Sequence, residues 1–136
     1  NITFGSKLHK GWLLKQSERD KKWEKRWFII YDTKEMRYYD DSTRAVSRGM
    51  AVLSQLRKVT QMDDEKARKK YKQTNVLKCD FKQRTLLLSC TPNDDRKIWF
   101  HEICKVIGKH AHFIDPIYDD FLYRYDEKAQ KWKKFW

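Results

Sequence analysis

Gly11-Trp12-Leu13-Leu14-Lys15 and Trp23-Glu24-Lys25-Arg26-Trp27-Phe28-Ile29-Ile30 are the two stretches whose reading decides the fold. Each interleaves large apolar side chains with fixed positive charge. In an extended strand successive side chains point to opposite faces, so the two blocks read as an antiparallel hairpin. One face can bury Trp, Leu and Ile while the mouth of the hairpin presents Lys and Arg. A phosphate-bearing partner suits such a mouth. An ordinary hairpin with a solvated basic face carries the same alternation, and the pattern alone leaves both readings open.

Further short strands follow. Met36-Arg37-Tyr38-Tyr39 comes after a turn at Asp32-Thr33-Lys34-Glu35, and Met50-Ala51-Val52-Leu53 after a polar loop ending at Arg48-Gly49. Leu56 to Met62, Asn75 to Phe81 and Arg84 to Cys90 supply a fifth, sixth and seventh. Short strands at this spacing predict a sandwich or small barrel. Between the fifth and sixth, Asp64/Arg68 and Glu65/Lys69 fall at i, i+4 and predict a short charged helix. Its basic end is placed to touch a membrane, or the segment is simply a solvated excursion.

Thr91-Pro92 opens a second helix, with Thr91 as N-cap, Pro92 at the first helical position, and Asp94 and Asp95 at the positive end of the helix dipole. Ile98, Trp99, Ile103, Val106 and Ile107 form an apolar stripe down to Gly108. After seven strands, a single amphipathic helix is expected to plug the barrel, anchored by Trp99.

The chain has 136 residues, enough for one domain or one domain plus an appendage. A 40% hydrophobic fraction supports a core, and a formal charge of +12 draws the chain toward polyanions: membrane surfaces, nucleic acid or acidic proteins. Cys79, Cys90 and Cys104 are an odd, widely spaced set. They predict buried thiols in a reducing, cytoplasmic setting rather than a disulfide framework. No apolar run approaches the roughly 20 residues needed to cross a bilayer, and Asn1 opens no signal peptide. Asn1 is not Met, so an upstream segment carrying a lipid anchor stays open.

With these residues placed, Lys10 to about Gly108 resembles a pleckstrin homology (PH) domain. The resemblance rests on Gly11 to Lys15, the basic loop, Trp23-x-Lys25-Arg26-Trp27-Phe28, Tyr38-Tyr39, Arg48-Gly49 and Trp99. It implies a mainly β fold with one C-terminal α-helix: a seven-stranded, partly open barrel of two near-orthogonal antiparallel sheets, capped by the helix. The domain is expected over residues 7–109. Family members commonly bind phosphorylated inositol-lipid headgroups at the open end.

Carried onto this sequence, the headgroup site falls on Lys15, Arg19, Lys21, Lys22, Arg26, Tyr39 and Arg48, with Trp12, Trp27 and Trp99 as structural core. Arg26 and Arg48 offer planar donors, the lysines mobile point charges, and Tyr39 one hydroxyl. Glu24 departs from the family's basic-x-Arg pair. A carboxylate on the strand face of Arg26 repels a phosphate or pairs with that arginine. It therefore moves the expected ligand from polyphosphoinositides toward a simpler monoester such as phosphatidic acid. A narrower similarity is to the acylated PH proteins of apicomplexan parasites, which read phosphatidic acid.

Residues 110–136 are expected to be a linker and a hairpin-like extension. Phe121, Trp132 and Trp136 repeat Trp12, Trp23 and Trp27 at a constant offset of 109 residues, as at the start of a second PH-like domain. Chance similarity, or a helix from Asp115-Pro116, are the alternatives. His101, Cys104, His110 and His112 match no zinc-ligand spacing, so no metal or other cofactor is expected. Glycine-rich phosphate loops, nucleophile elbows and HExxH are missing from the sequence, which therefore predicts no enzyme. No nucleic-acid motif is present either. The sequence thus predicts a cytoplasmic module, peripheral on the cytosolic face of membranes, that binds anionic lipids. A protein-interaction scaffold is the alternative, and the oligomeric state is left open.

Overall fold

The computed structural model describes residues 5–90 and 95–107. Seven antiparallel strands, β1 (Lys7–Gln16), β2 (Trp23–Tyr31), β3 (Glu35–Tyr39), β4 (Ser47–Val52), β5 (Leu56–Gln61), β6 (Val76–Phe81) and β7 (Thr85–Ser89), are joined by helix α1 (Asp64–Tyr71) and followed by helix α2 (Asp95–Ile107). Their order in the sheet is β4-β3-β2-β1-β7-β6-β5. β1 meets β2 along nearly its whole length, but meets β7 only at Leu14↔Ser89 and Lys15↔Leu88. That short seam joins a four-stranded meander to a three-stranded one.

Alternation sets what is buried. Leu13 on β1, Phe28 and Ile30 on β2, Met36 and Tyr38 on β3, and Leu77 and Cys79 on β6 share one face and form the core with Trp99, Phe100, Ile103 and Ile107 of α2. Trp99 is 1% exposed and meets Phe28 edge-on at 6.5 Å between ring centroids. Gly11 on β1 faces the Trp99 ring, and a Cβ there would lie 3.4 Å from it, in ordinary van der Waals contact.

Of the three tryptophans expected in the core, Trp99 is there and the other two are not. Trp12 and Trp27 follow the opposite parity. They pack edge-to-face on the outer surface with centroids 5.2 Å apart, partly exposed, with the Lys25 ammonium 4.7 Å over Trp12. Leu13 and Phe28, their neighbours, take the inward positions. Ile98, expected in the helix stripe, is 46% exposed, and Phe100 fills the core instead.

α1 forms where its charge pattern predicts. Asp63 caps it, accepting from the Lys66 N–H at 3.1 Å, and Lys72 closes it in the left-handed conformation at φ 58°. Glu65 pairs with Lys69 at 3.8 Å as the spacing requires. Asp64 instead accepts from the Asn75 N–H at 2.9 Å and lies 3.9 Å from Arg96, which fastens the helix to the barrel. Ala67 packs with Val76 and Leu87 on the outer face of β6 and β7. The expected start of α2 at Thr91-Pro92 and the repeated block at Phe121 to Trp136 lie outside the described residues.

Candidate functional site

The end of β1 and the start of β2 build a cluster of charges around the turn that joins them. Register places Lys15 directly opposite Glu24, and Leu13 opposite Arg26. All four side chains share the inward-facing parity, so the charged pair continues the core face out into solvent. β3 contributes Tyr38 and, one residue beyond its end, Asp40. From β4 comes Arg48, opposite Asp40 across the 40–46 loop.

Lys15 is half-buried. Its ammonium lies 5.4 Å over the Tyr38 ring and donates to the Gln16 carbonyl at 3.4 Å. Burial lowers its pKa, an effect that Glu18 and Glu24 partly offset while Arg84 and Arg26 reinforce it. Arg26, with 17% of its side chain exposed, holds Glu24 at 3.1 Å and lies 3.7 Å from Asp40. Arg48 grips Asp40 with two bonds, 2.6 Å and 3.0 Å. The bonds from Arg48 keep the Asp40 carboxyl below its ordinary range and raise Arg48. Three cations, Lys15, Arg26 and Arg48, thus face two carboxylates, Glu24 and Asp40, leaving one net positive charge.

The turn between β1 and β2 carries the remaining predicted cations. Arg19, Lys21 and Lys22 are exposed, and among the described residues they make no ion pair. The turn is nonetheless ordered. Ser17 donates to the Lys22 carbonyl at 2.7 Å, Lys21 donates to that of Ser17 at 3.0 Å, and Lys21 itself sits at φ 63°.

Tyr39 is not brought to this cluster. It faces the outer side of β3 with Ile29 and Tyr31, is 6% exposed, and has its phenol pushed up to about 12, first by burial and then by a hydrogen bond with Tyr31. Tyr38 stands beside Lys15, stacked on Phe28 at 5.0 Å. The pairing Phe28↔Tyr38 decides which member of the doublet points inward. Asp40 was also missed by sequence reasoning. Its signal was the same register, since Trp27↔Tyr39 places Asp40 across from Arg26.

Among the described residues no three His, Cys, Asp or Glu side chains gather to hold a metal ion, and His110 and His112 lie outside them. No described helix is long and apolar enough to cross a membrane. Cys79 and Cys90 are buried, and burial pushes both thiols up, Cys90 to about 12.

Residues 7–108 match the family model for the PH domain. The chain belongs to the PH domain family. This PH domain is similar to the C-terminal PH domain of pleckstrin solved in complex with D-myo-Ins(1,2,3,5,6)P5, with a TM-score of 0.66 and 23% identity over 78% of this chain and 100% of that one. The solution structure of the C-terminal PH domain of human pleckstrin gives a TM-score of 0.62 and 25% identity, covering 74% and 78% of the two chains. The PH domain of human pleckstrin homology domain-containing protein family A member 5 gives 0.60 and 23%, covering 79% and 81%. No curated protein matches the sequence at a significant level.

Proposed function

We propose that this PH domain is a non-enzymatic recruitment module that binds anionic phospholipid headgroups at the β1–β2 end of its barrel. Residues 7–109 form the module and 110–136 an extension. The observation that carries this reading is the convergence of Lys15, Arg26, Tyr38 and Arg48 at one end of the barrel, beside the exposed Arg19, Lys21 and Lys22. Inositol pentakisphosphate complexes of the pleckstrin C-terminal PH domain support it.

The carboxylates set the grade of ligand. With Arg26 and Arg48 already engaged, a polyphosphorylated ring would have to displace Glu24 and Asp40, whereas a monoester such as phosphatidic acid needs fewer donors. Several basic side chains near an anionic leaflet contribute about 1 kcal/mol each, enough to hold the domain at a cytosolic membrane face. Those same ion pairs favour the alternative, a protein-interaction scaffold with little lipid affinity.

Sedimentation with vesicles of phosphatidylserine, phosphatidic acid or single phosphoinositides tests the proposal. Pelleting at low salt that falls steeply as salt rises is expected. Failure to pellet with any anionic vesicle at low salt would sink the lipid reading and leave the scaffold.

A further inference from the structure

The outer face of the first meander carries a cluster that lipid binding leaves unused. Ile29, Tyr31 and Tyr39 point away from the core, pack on one another and on Trp27, and are 1%, 2% and 6% exposed. Register sets them in neighbouring rungs: Trp12, Trp27 and Tyr39 in one, Lys10, Ile29, Arg37 and Met50 in the next, Tyr31 and Glu35 in a third. The described helices pack elsewhere, α2 in the core on the opposite face and α1 over β6 and β7. An outer sheet face left in water alternates polar side chains with apolar ones, and one this apolar and this dry needs a cover.

The rim of this face is basic. Lys25 lies over Trp12, Lys10 is exposed, and Arg37 and Arg44 both act on the Tyr39 phenol. Glu35, the carboxylate on these rungs, is held by Arg37 at 3.0 Å. The chain beyond α2 has the complementary composition. Residues 113–127 set Asp115, Asp119, Asp120, Asp126 and Glu127 against Arg124 alone, in a chain whose formal charge is +12. Interleaved with those carboxylates are Ile117, Tyr118, Phe121, Leu122, Tyr123 and Tyr125.

The exit from α2 is close to this face. Ile107 borders a small depression with Lys34, Leu53 and Leu56, and the Lys34 N–H donates to the Tyr31 carbonyl at 3.0 Å, so the helix ends at the corner where β2 turns into β3. At about 3.3 Å per extended residue, residues 108–112 span ~16 Å, enough to round that corner and bring Phe113 to the Tyr31 end of the face.

We infer that residues 113–127 dock on the outer face of β1, β2 and β3 in the same molecule, with their apolar side chains on Ile29, Tyr31 and Tyr39 and their carboxylates toward Lys10, Lys25 and Arg37. The folded unit then runs past α2 rather than ending with it. The mouth stays open, because Lys15 and Arg26 project from the opposite side of the sheet.

Two measurements on the full chain test this docking, and neither depends on lipid binding. A zero-length carbodiimide joins a carboxylate to an amine only where the two touch, so peptides linking Asp119, Asp120 or Asp126 to Lys10 or Lys25 are expected in the monomer fraction. Mixing isotope-labelled with unlabelled chains separates links within a molecule from links between two. Hydroxyl-radical labelling then reads side-chain exposure. In F121S/L122S/Y123S/Y125S, Tyr31 and Tyr39 are expected to react severalfold faster than in the wild type, while Trp99 in the core stays protected. An unchanged rate at Tyr31 and Tyr39 overturns the docking, and a gain seen instead on removing residues 1–4 assigns the cover to that segment. Links found only between labelled and unlabelled chains overturn it in favour of a second copy. Absence of any link to Lys10 or Lys25 overturns it as well, and the links in the wild-type chain decide the matter if the variant also exposes Trp99.

Discussion

Glu24→Gln separates the roles of the mouth's charges. Glu24 stands opposite Lys15 and 3.1 Å from Arg26, and glutamine keeps its shape while removing its charge. Three cations would then face only Asp40, and the net charge of the cluster rises from one to two. Near an anionic leaflet one unit charge is worth about 1 kcal/mol, so affinity for phosphatidic-acid vesicles is expected to rise about fivefold. Stability should change little. With 44% of the Glu24 side chain exposed, its pair with Arg26 is of the surface kind, worth about 0–1 kcal/mol. Vesicle sedimentation at about 0.1 M and again near 1 M salt, where the Debye length shrinks from ~10 to ~3 Å, is the assay. The gain should appear at the lower salt and vanish at the higher. Binding that stays at or below the wild-type level, in a variant that melts like the wild type, would refute the assignment of the phosphate to the mouth.

Three other outcomes are expected. Trp99→Ala empties the centre of the core and should cost about 3–5 kcal/mol, a large part of a domain's typical 5–15, read from the urea midpoint. Gly49→Ala would place a Cβ 2.6 Å from Cζ of Tyr38, a ring that is 5% exposed and stacked on Phe28, so accommodating the methyl group forces the ring out of its packing. A cost of about 1–3 kcal/mol is expected in the same assay, together with weaker vesicle binding as Tyr38 leaves Lys15. His9 meets Trp99 edge-on at 4.4 Å, and burial there lowers its pKa, against the pull of Glu102 and Asp95. As pH falls below about 6.5 the unfolded chain takes up a proton that the folded chain refuses, so stability should decline until the lowered folded pKa is passed, then level off. Melting curves between about pH 5 and pH 8 check this, and His9→Phe should flatten the profile across that window.

The strands, both helices and the family were legible because each rests on local pattern: alternation around Trp12 and Trp27, an i, i+4 charge pair, a tryptophan on an apolar helix stripe. Lys15, Arg26 and Glu24 were legible too, since they lie within the hairpin that alternation defines. Tyr38 and Tyr39 are adjacent and chemically identical, and only the pairing of β2 with β3 tells which faces inward. Trp12 and Trp27 were misplaced because bulk suggests burial, whereas parity gave the inner positions to Leu13 and Phe28. Arg48 was legible as a cation, but its engagement with Asp40 arises only when the chain returns across the 40–46 loop.

The two-rung seam between β1 and β7 bears on how the domain assembles. Each meander pairs strands that are neighbours in sequence, so its contacts are local and kinetically favoured even though the β5–β6 connection holds α1. The seam instead joins residues 14 and 15 to residues 88 and 89, and gains only two rungs for the entropy of closing that long loop. Burial of the shared core, rather than backbone pairing, must then drive the halves together. The seam is accordingly expected to be the last part of the sheet to form and the first to exchange its amide hydrogens.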